Sequence, residues 1–133
     1  MAMHITQQLA LFLENKPGTL AAVCQALADE HINILAISVL DAVDHAVVRM
    51  VVNDPPKAIH LLGEHGVLVV ERDVLLLEGR SRPGELARIA RTLADHKVNI
   101  EYAYSATVPG AARGAMVLRV DQLAKAKRVL RND

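Results

Sequence analysis

The sequence predicts an α+β chain made of two copies of a βαββαβ unit, and three observations carry that reading. A block with a Pro-Gly turn, an amphipathic run and an Asn-Ile pair at residues 17–34 returns at a constant offset of 66 residues, at 83–100. Each copy of the block is entered from an apolar run and followed by an alternating one. The chain is 133 residues long and 52% hydrophobic, enough for small packed cores but short for two full-sized domains. A period of this kind has to be recognised before any fold is assigned, because missing it misplaces the domains. The repeat sets the expected domains at residues 1–73 and 74–133.

The elements follow in order. Residues 8–13 read as a strand, punctuated by Asn15, Lys16, Pro17 and Gly18. Proline drives the residue before it to extended geometry and suits the first position of a helix, so a helix should open here. Leu20, Val23, Cys24, Leu27 and Ala28 recur at three- and four-residue spacing, which makes one apolar helix face. Residues 31–40 alternate as a second strand, residues 41–44 turn, and residues 46–52 form an aliphatic third strand. Asp54, Pro55 and Pro56 open a short helix, an acidic cap followed by proline where no amide donor is required. Residues 67–72 complete the first unit as a fourth strand.

Residues 74–78 restart the cycle almost without a linker. Leu86, Ile89, Ala90 and Leu93 give the second apolar helix face, residues 100–107 and 115–120 give strands, and Asp121 is expected to cap a last helix running to Leu130. The split βαβ, or ferredoxin-like, arrangement with antiparallel sheets and helices on one face accommodates both units. The second repeat lacks its last strand. Its neighbour at residues 74–78 would then expose unpaired backbone groups, to be filled by another copy, by the first unit or by a partner chain, or simply solvated.

Composition narrows the function. Fifteen basic residues balance fifteen acidic ones, so no long-range field draws nucleic acid or an anionic membrane. Phe12, Tyr102 and Tyr104 are the aromatic residues, too few for base-stacking strands, which sets aside an RNA-binding use of the same fold. The single Cys24 excludes an internal disulfide and a cysteine metal cluster, and the six histidines are scattered, so no metal and no cofactor is expected. Aliphatic runs stop at four residues, 67–70 and 74–77, and no leader pattern opens the chain; a soluble cytoplasmic protein is expected. No catalytic residues are expected: Ser/His/Asp sets, phosphate loops and cofactor fingerprints are all missing.

The turn has chemistry of its own. Gly18 lacks a β-carbon, so a ligand can approach the backbone there and the turn can take positive φ. The first amides of the following helix have no partners within it and favour a carboxylate. Asn15 and Asn33 each offer a donor and an acceptor. The same residues are also ordinary turn and junction residues, and Arg80 and Arg82 also suit a solvated loop.

Residues 14–20 (Glu-Asn-Lys-Pro-Gly-Thr-Leu), the helix after them and Asn33-Ile34 resemble the amino-acid-binding ACT domain. Arg82-Pro83-Gly84-Glu85-Leu86 through Asn99-Ile100 resembles a second one, and together they are similar to a small stand-alone tandem-ACT family, including its Ile100-Glu101-Tyr102-Ala103-Tyr104-Ser105 segment. That resemblance implies a regulatory module binding an amino acid where two such domains meet, in a homodimer, with no catalytic domain attached. The expected ligand-binding residues are Asn15, Lys16, Pro17, Gly18, Thr19 and Asn33 in the first repeat, and Arg82, Gly84 and Asn99 in the second. Asn15 and Asn33 match the ligand-contacting asparagines of serine-responsive members, whereas Leu13 stands where those members have histidine. In the second repeat Ser81 and Gly79 replace that asparagine and histidine, and Arg80 and Arg82 are the candidates for a carboxylate clamp. The alternative is a regulatory subunit of a biosynthetic enzyme, such as acetolactate synthase, that binds no ligand itself.

Overall fold

The computed structural model describes residues 2–42 and 44–132. Val43, in the expected turn at 41–44, lies outside them. The elements are β1 (Met3–Glu14), α1 (Thr19–Asp29), β2 (Ile34–Asp41), β3 (His45–Val52), α2 (Pro55–Glu64), β4 (Leu68–Arg80), α3 (Glu85–Asp95), β5 (Ile100–Ala106), β6 (Arg113–Val120) and α4 (Leu123–Arg131). Two compact units result, one of Gln7–Arg72 and one of Met1–Thr6 with Asp73–Asp133.

In the first unit the strand order is β2-β3-β1-β4. Leu9 lies opposite Met50, Leu11 opposite Val48 and Leu13 opposite Ala46, so alternate residues of β1 and β3 share a face. Val23 and Leu27 of α1 and Ala58 and Leu62 of α2 pack into one core with Leu9, Leu11, Leu13, Val48 and Met50. Strand β2 pairs with β3 and forms the edge, with a bulge between Ile34 and Ala36. Leu35, Ile37, Val39 and Leu40 on that edge remain between 42% and 57% exposed.

The second unit repeats the scheme: Leu75 and Leu77 of β4, Ile89 and Leu93 of α3, Leu118 and Val120 of β6, and Ala126 and Leu130 of α4 form its core. The sequence of this repeat ends on α4, and the place of its missing strand is taken by the start of β1. Met3 packs against the core, and the Glu78 N–H donates to the Ala2 carbonyl at 3.1 Å. Strand β1 therefore begins at Met3, five residues before the sequence pattern starts it at Gln8. The expected break at Arg72-Asp73 is likewise absent: β4 runs from Leu68 to Arg80, its polar run Glu71-Arg72-Asp73 remaining exposed as part of the strand.

Local signals explain the helix ends. Asp54 accepts a hydrogen bond from the Lys57 N–H at 3.3 Å, and Pro55 follows it at the first helical position. Both first-turn glycines have positive φ, +89° at Gly18 and +87° at Gly84. Helices α1 and α3 end in the same Schellman-type turn. In one, the His31 N–H donates to Ala28 and Ile32 to Leu27; in the other, Lys97 donates to Ala94 and Val98 to Leu93. His31 and Lys97 take φ of +59° and +60°, a duplicate of an unusual conformation at the same repeat position. Asp121 does not cap α4. Gln122 holds that position without a side-chain bond to the helix, its amide donating instead to the Lys97 carbonyl at 3.0 Å, while the Asp121 carboxylate accepts the Asn99 N–H at 2.9 Å.

Candidate functional site

In the first unit β1 delivers Asn15, Lys16, Pro17 and Gly18 to one end of the sheet, and α1 starts at Thr19. The Asn15 side-chain amide donates to the Asp41 carboxylate at the end of β2. That bond ties the turn to the edge strand, and it brings in Asp41, a neighbour of the candidate turn that the sequence pattern did not flag. Lys16 pairs with Glu14 at 2.9 Å on exposed side chains, a contact of small energetic weight.

Asn33 lies elsewhere. It precedes the first residue of β2, whereas Asn15 bonds to the last residue of that strand. Eight strand residues at roughly 3.3 Å each separate the two asparagines by about 25 Å. The backbone of Asn33 is held by Asn53, whose side-chain oxygen accepts its N–H at 2.9 Å, and whose own N–H donates to the Asn33 carbonyl at 3.1 Å. Asp121 plays the corresponding part for Asn99 in the second unit. Within one unit, then, Asn15 and Asn33 do not converge.

The second turn is built differently. Glu85 stands at the repeat position of Thr19 and is only 4% exposed. Its carboxylate accepts the Arg80 N–H at 2.8 Å and the Arg88 guanidinium at 2.9 Å, with Arg82 at 3.5 Å. The Arg80 N–H, then Arg88, hold its pKa down at about 2 from the usual 4.5, against a burial effect in the opposite direction. A β-carbon added at Gly79 would meet Met116 at 2.8 Å and Glu85 Cγ at 3.6 Å, so glycine there leaves room for both side chains. The second turn thus holds a carboxylate of the chain's own, bound by the Arg80 backbone and the Arg88 side chain, with Arg82 at its margin. Gly84 lies at the turn's left-handed position and Asn99 immediately before β5.

The first turn carries Thr19 at the position of Glu85. Thr19 Oγ1 is buried and, among the described residues, is the buried side-chain polar atom without a hydrogen-bond partner. It lines a cavity of about 210 Å³ with Leu13, Ala22, Val23, Ala26, Leu62, His65 and Val67. Among the described residues no group of three or more His, Cys, Asp or Glu side chains is arranged for a metal ion, and no helix is long and apolar enough to cross a membrane.

Comparison with known proteins bears on these features. The family model described as the ACT domain pair matches residues 3–133. The crystal structure of protein BT0572 from Bacteroides thetaiotaomicron is similar at 33% identity and a TM-score of 0.89, over 98% of this chain and 89% of that one. The ligand-free regulatory subunit of aspartate kinase from Thermus thermophilus shares 20% identity at a TM-score of 0.73, over 99% and 96% of the two chains. The corresponding subunit from Thermus flavus shares 24% at 0.66, over 98% and 92%; at these identities the likeness is one of fold. A comparison with curated proteins gives no match. With the duplicated turns, the two βαββαβ units and a model match over nearly its whole length, this chain belongs to the ACT domain pair family.

Proposed function

We propose that this protein is a non-catalytic regulatory subunit of amino-acid metabolism that senses a free amino acid as a homodimer. The separation of Asn15 from Asn33 along the edge strand β2 carries this reading. An isologous pair of β2 edges, run antiparallel about a twofold axis, would bring the turn of one copy beside Asn33 of the partner subunit. Two equivalent sites would form, each with the turn Asn15–Thr19 from one copy and Asn33 from the other. The edge suits such pairing: Ile37 and Val39 are half exposed there, while the repeat positions on β5 carry Ala103 and Ser105. In the second unit the buried Glu85 fills the turn with an acid of the chain's own, so Arg82, Gly84 and Asn99 are the weaker site. The fold likeness to regulatory subunits of aspartate kinase supports a role in controlling an amino-acid biosynthetic enzyme.

Titration calorimetry of the purified protein against the twenty amino acids, alongside sedimentation, tests this. Binding of one or a few amino acids by a dimer, lost in both Asn15→Ala and Asn33→Ala, is the expected result. A dimer that binds none of them would leave the ligand-free regulatory subunit as the better reading. Binding by a monomer would overturn the shared site.

A further inference from the structure

The fifteen basic and fifteen acidic residues divide unequally between the two units. Gln7–Arg72 holds four basic and eight acidic residues, a net −4, while Met1–Thr6 with Asp73–Asp133 holds eleven and seven, a net +4. Part of the positive surplus lies on the outer surface of two helices. Arg91 of α3 and Arg128 and Arg131 of α4 are exposed and Lys127 is half-buried, while Ile89, Leu93, Ala126 and Leu130 turn to the core. Among the described residues none of these four cations makes an ion pair. The fold does not require them. Gln25 stands at the repeat position of Arg91. With the caps Asp54 and Gln122 aligned, Ile59, His60 and Gly63 stand where α4 has Lys127, Arg128 and Arg131. The helix dipole accounts for Arg128 and Arg131, in the last turn of α4, but not for Arg91 and Lys127.

We propose that the α3–α4 face of the second unit is a docking surface for a second copy of this chain, and that it takes the α1–α2 face of that copy's first unit. The two faces are complementary in charge. Helix α1 carries no charged residue before Asp29, and Asp29, Glu30 and Glu64 are exposed at the helix ends, against the single cation Lys57. Ala21 and Ala28 of α1 and Ala87 and Ala94, their repeat counterparts on α3, are exposed too, so two such helices can approach closely once the charges orient them. The observations favour a second copy over a nucleic acid as the occupant. The acidic unit is part of the same chain, and copies of zero net charge meet without overall repulsion. Neither α3 nor α4 has an aromatic residue on which a base could stack. The contact joins unlike faces, so it extends from copy to copy and is separate from the paired β2 edges. Exposed ion pairs are individually weak and screened by salt, which makes the association one of low ionic strength.

Sedimentation velocity of the full chain at about 0.01 M and about 1 M salt tests this, since charges act over roughly 30 Å in the first and 3 Å in the second. At low salt the weight-average mass should rise to at least twice its high-salt value. Arg91→Glu with Arg128→Glu should hold the mass at the high-salt value in both conditions, and so should Asp29→Lys with Glu64→Lys. All four positions are exposed, so both double variants should keep the wild-type circular dichroism. Mixing the two should restore the larger species, because each then meets a face of opposite charge on the other. Val39→Lys should leave the salt-dependent step in place. A wild-type mass that does not change with salt overturns the proposal, as does a larger species that either double variant leaves intact or that Val39→Lys abolishes. A mixture that fails to reassemble overturns the pairing of these two faces. Retention of an RNA oligonucleotide by wild type without self-association overturns the second copy as occupant and gives the face to nucleic acid.

Discussion

Replacing Glu85 by glutamine isolates the charge at the centre of the second turn. The side chain keeps its length, and one oxygen can still accept the Arg80 N–H. What disappears is the negative charge facing Arg88 at 2.9 Å and Arg82 at 3.5 Å. A carboxyl group held at about 2 when folded and at 4.5 otherwise corresponds, at about 1.4 kcal/mol per pH unit, to at most roughly 3–4 kcal/mol. The Arg82 and Arg88 side chains are 50% and 33% exposed, so solvent screens part of this, and about 2 kcal/mol is the better expectation near neutral pH. The sign follows from linkage. Because the folded pKa is the lower one, the contribution is fully present above pH 4.5 and is lost as pH falls through 4.5 towards about 2. Urea unfolding followed by tyrosine emission is the assay, since Tyr102 and Tyr104 are the only tyrosines and both lie on β5. Wild type should exceed Glu85→Gln by about 2 kcal/mol at pH 7, and the gap should narrow steadily as the pH is lowered from 5 to 2. A gap that is absent at pH 7, or that persists unchanged at pH 2, would refute this account of the turn.

Other perturbations have equally definite signs. Gly18→Ala should cost about 1–2 kcal/mol in thermal or urea unfolding, because φ is +89° while nothing lies within 4 Å of the added carbon; the cost is conformational and not a clash. Lys97→Gly should raise stability by about 0.5–1 kcal/mol by relieving the left-handed residue at the end of α3, again read from urea midpoints. Asp54→Ala should cost about 1 kcal/mol through the lost cap on α2, with Asp54→Ser restoring most of it. Val39→Lys on the exposed edge should shift sedimentation towards the monomer and lower amino-acid affinity while leaving the fold unchanged by circular dichroism.

Much of the fold was legible because its signals are local. The Pro-Gly turns, the three-and-four spacing of Leu20, Val23 and Leu27, and the Asp54-Pro55 start each mark an element without reference to distant residues. The pairing of Met3–Thr6 with the second unit was not legible, since it joins residues more than seventy positions apart and leaves no mark in the hydropathy of either stretch. Strand β4 looked broken for a related reason: Glu71, Arg72 and Asp73 are polar enough to suggest a turn, yet an exposed strand carries charges comfortably. At the site, the asparagines could be named from the sequence but not their distance, which depends on the direction of β2. Glu85 was the subtler omission. Only its burial distinguishes it from an ordinary acid in a helix's first turn, although its alignment with Thr19 in the repeat was visible throughout.

The place of Met3–Thr6 in the second unit has a consequence for how the chain is made. These residues leave the ribosome before any other part of the unit they complete, and they wait while the intervening 66 residues of Gln7–Arg72 emerge. The first unit can close on itself meanwhile, whereas the second needs the stretch before Gln7 and the stretch after Arg72 together. Its maturation is therefore a late event with a high contact order, slower than that of a unit built from neighbouring residues. Loss of Met3–Thr6 would damage a unit encoded mostly after Asp73, so the second unit keeps a check on whether a stretch far upstream of it is intact.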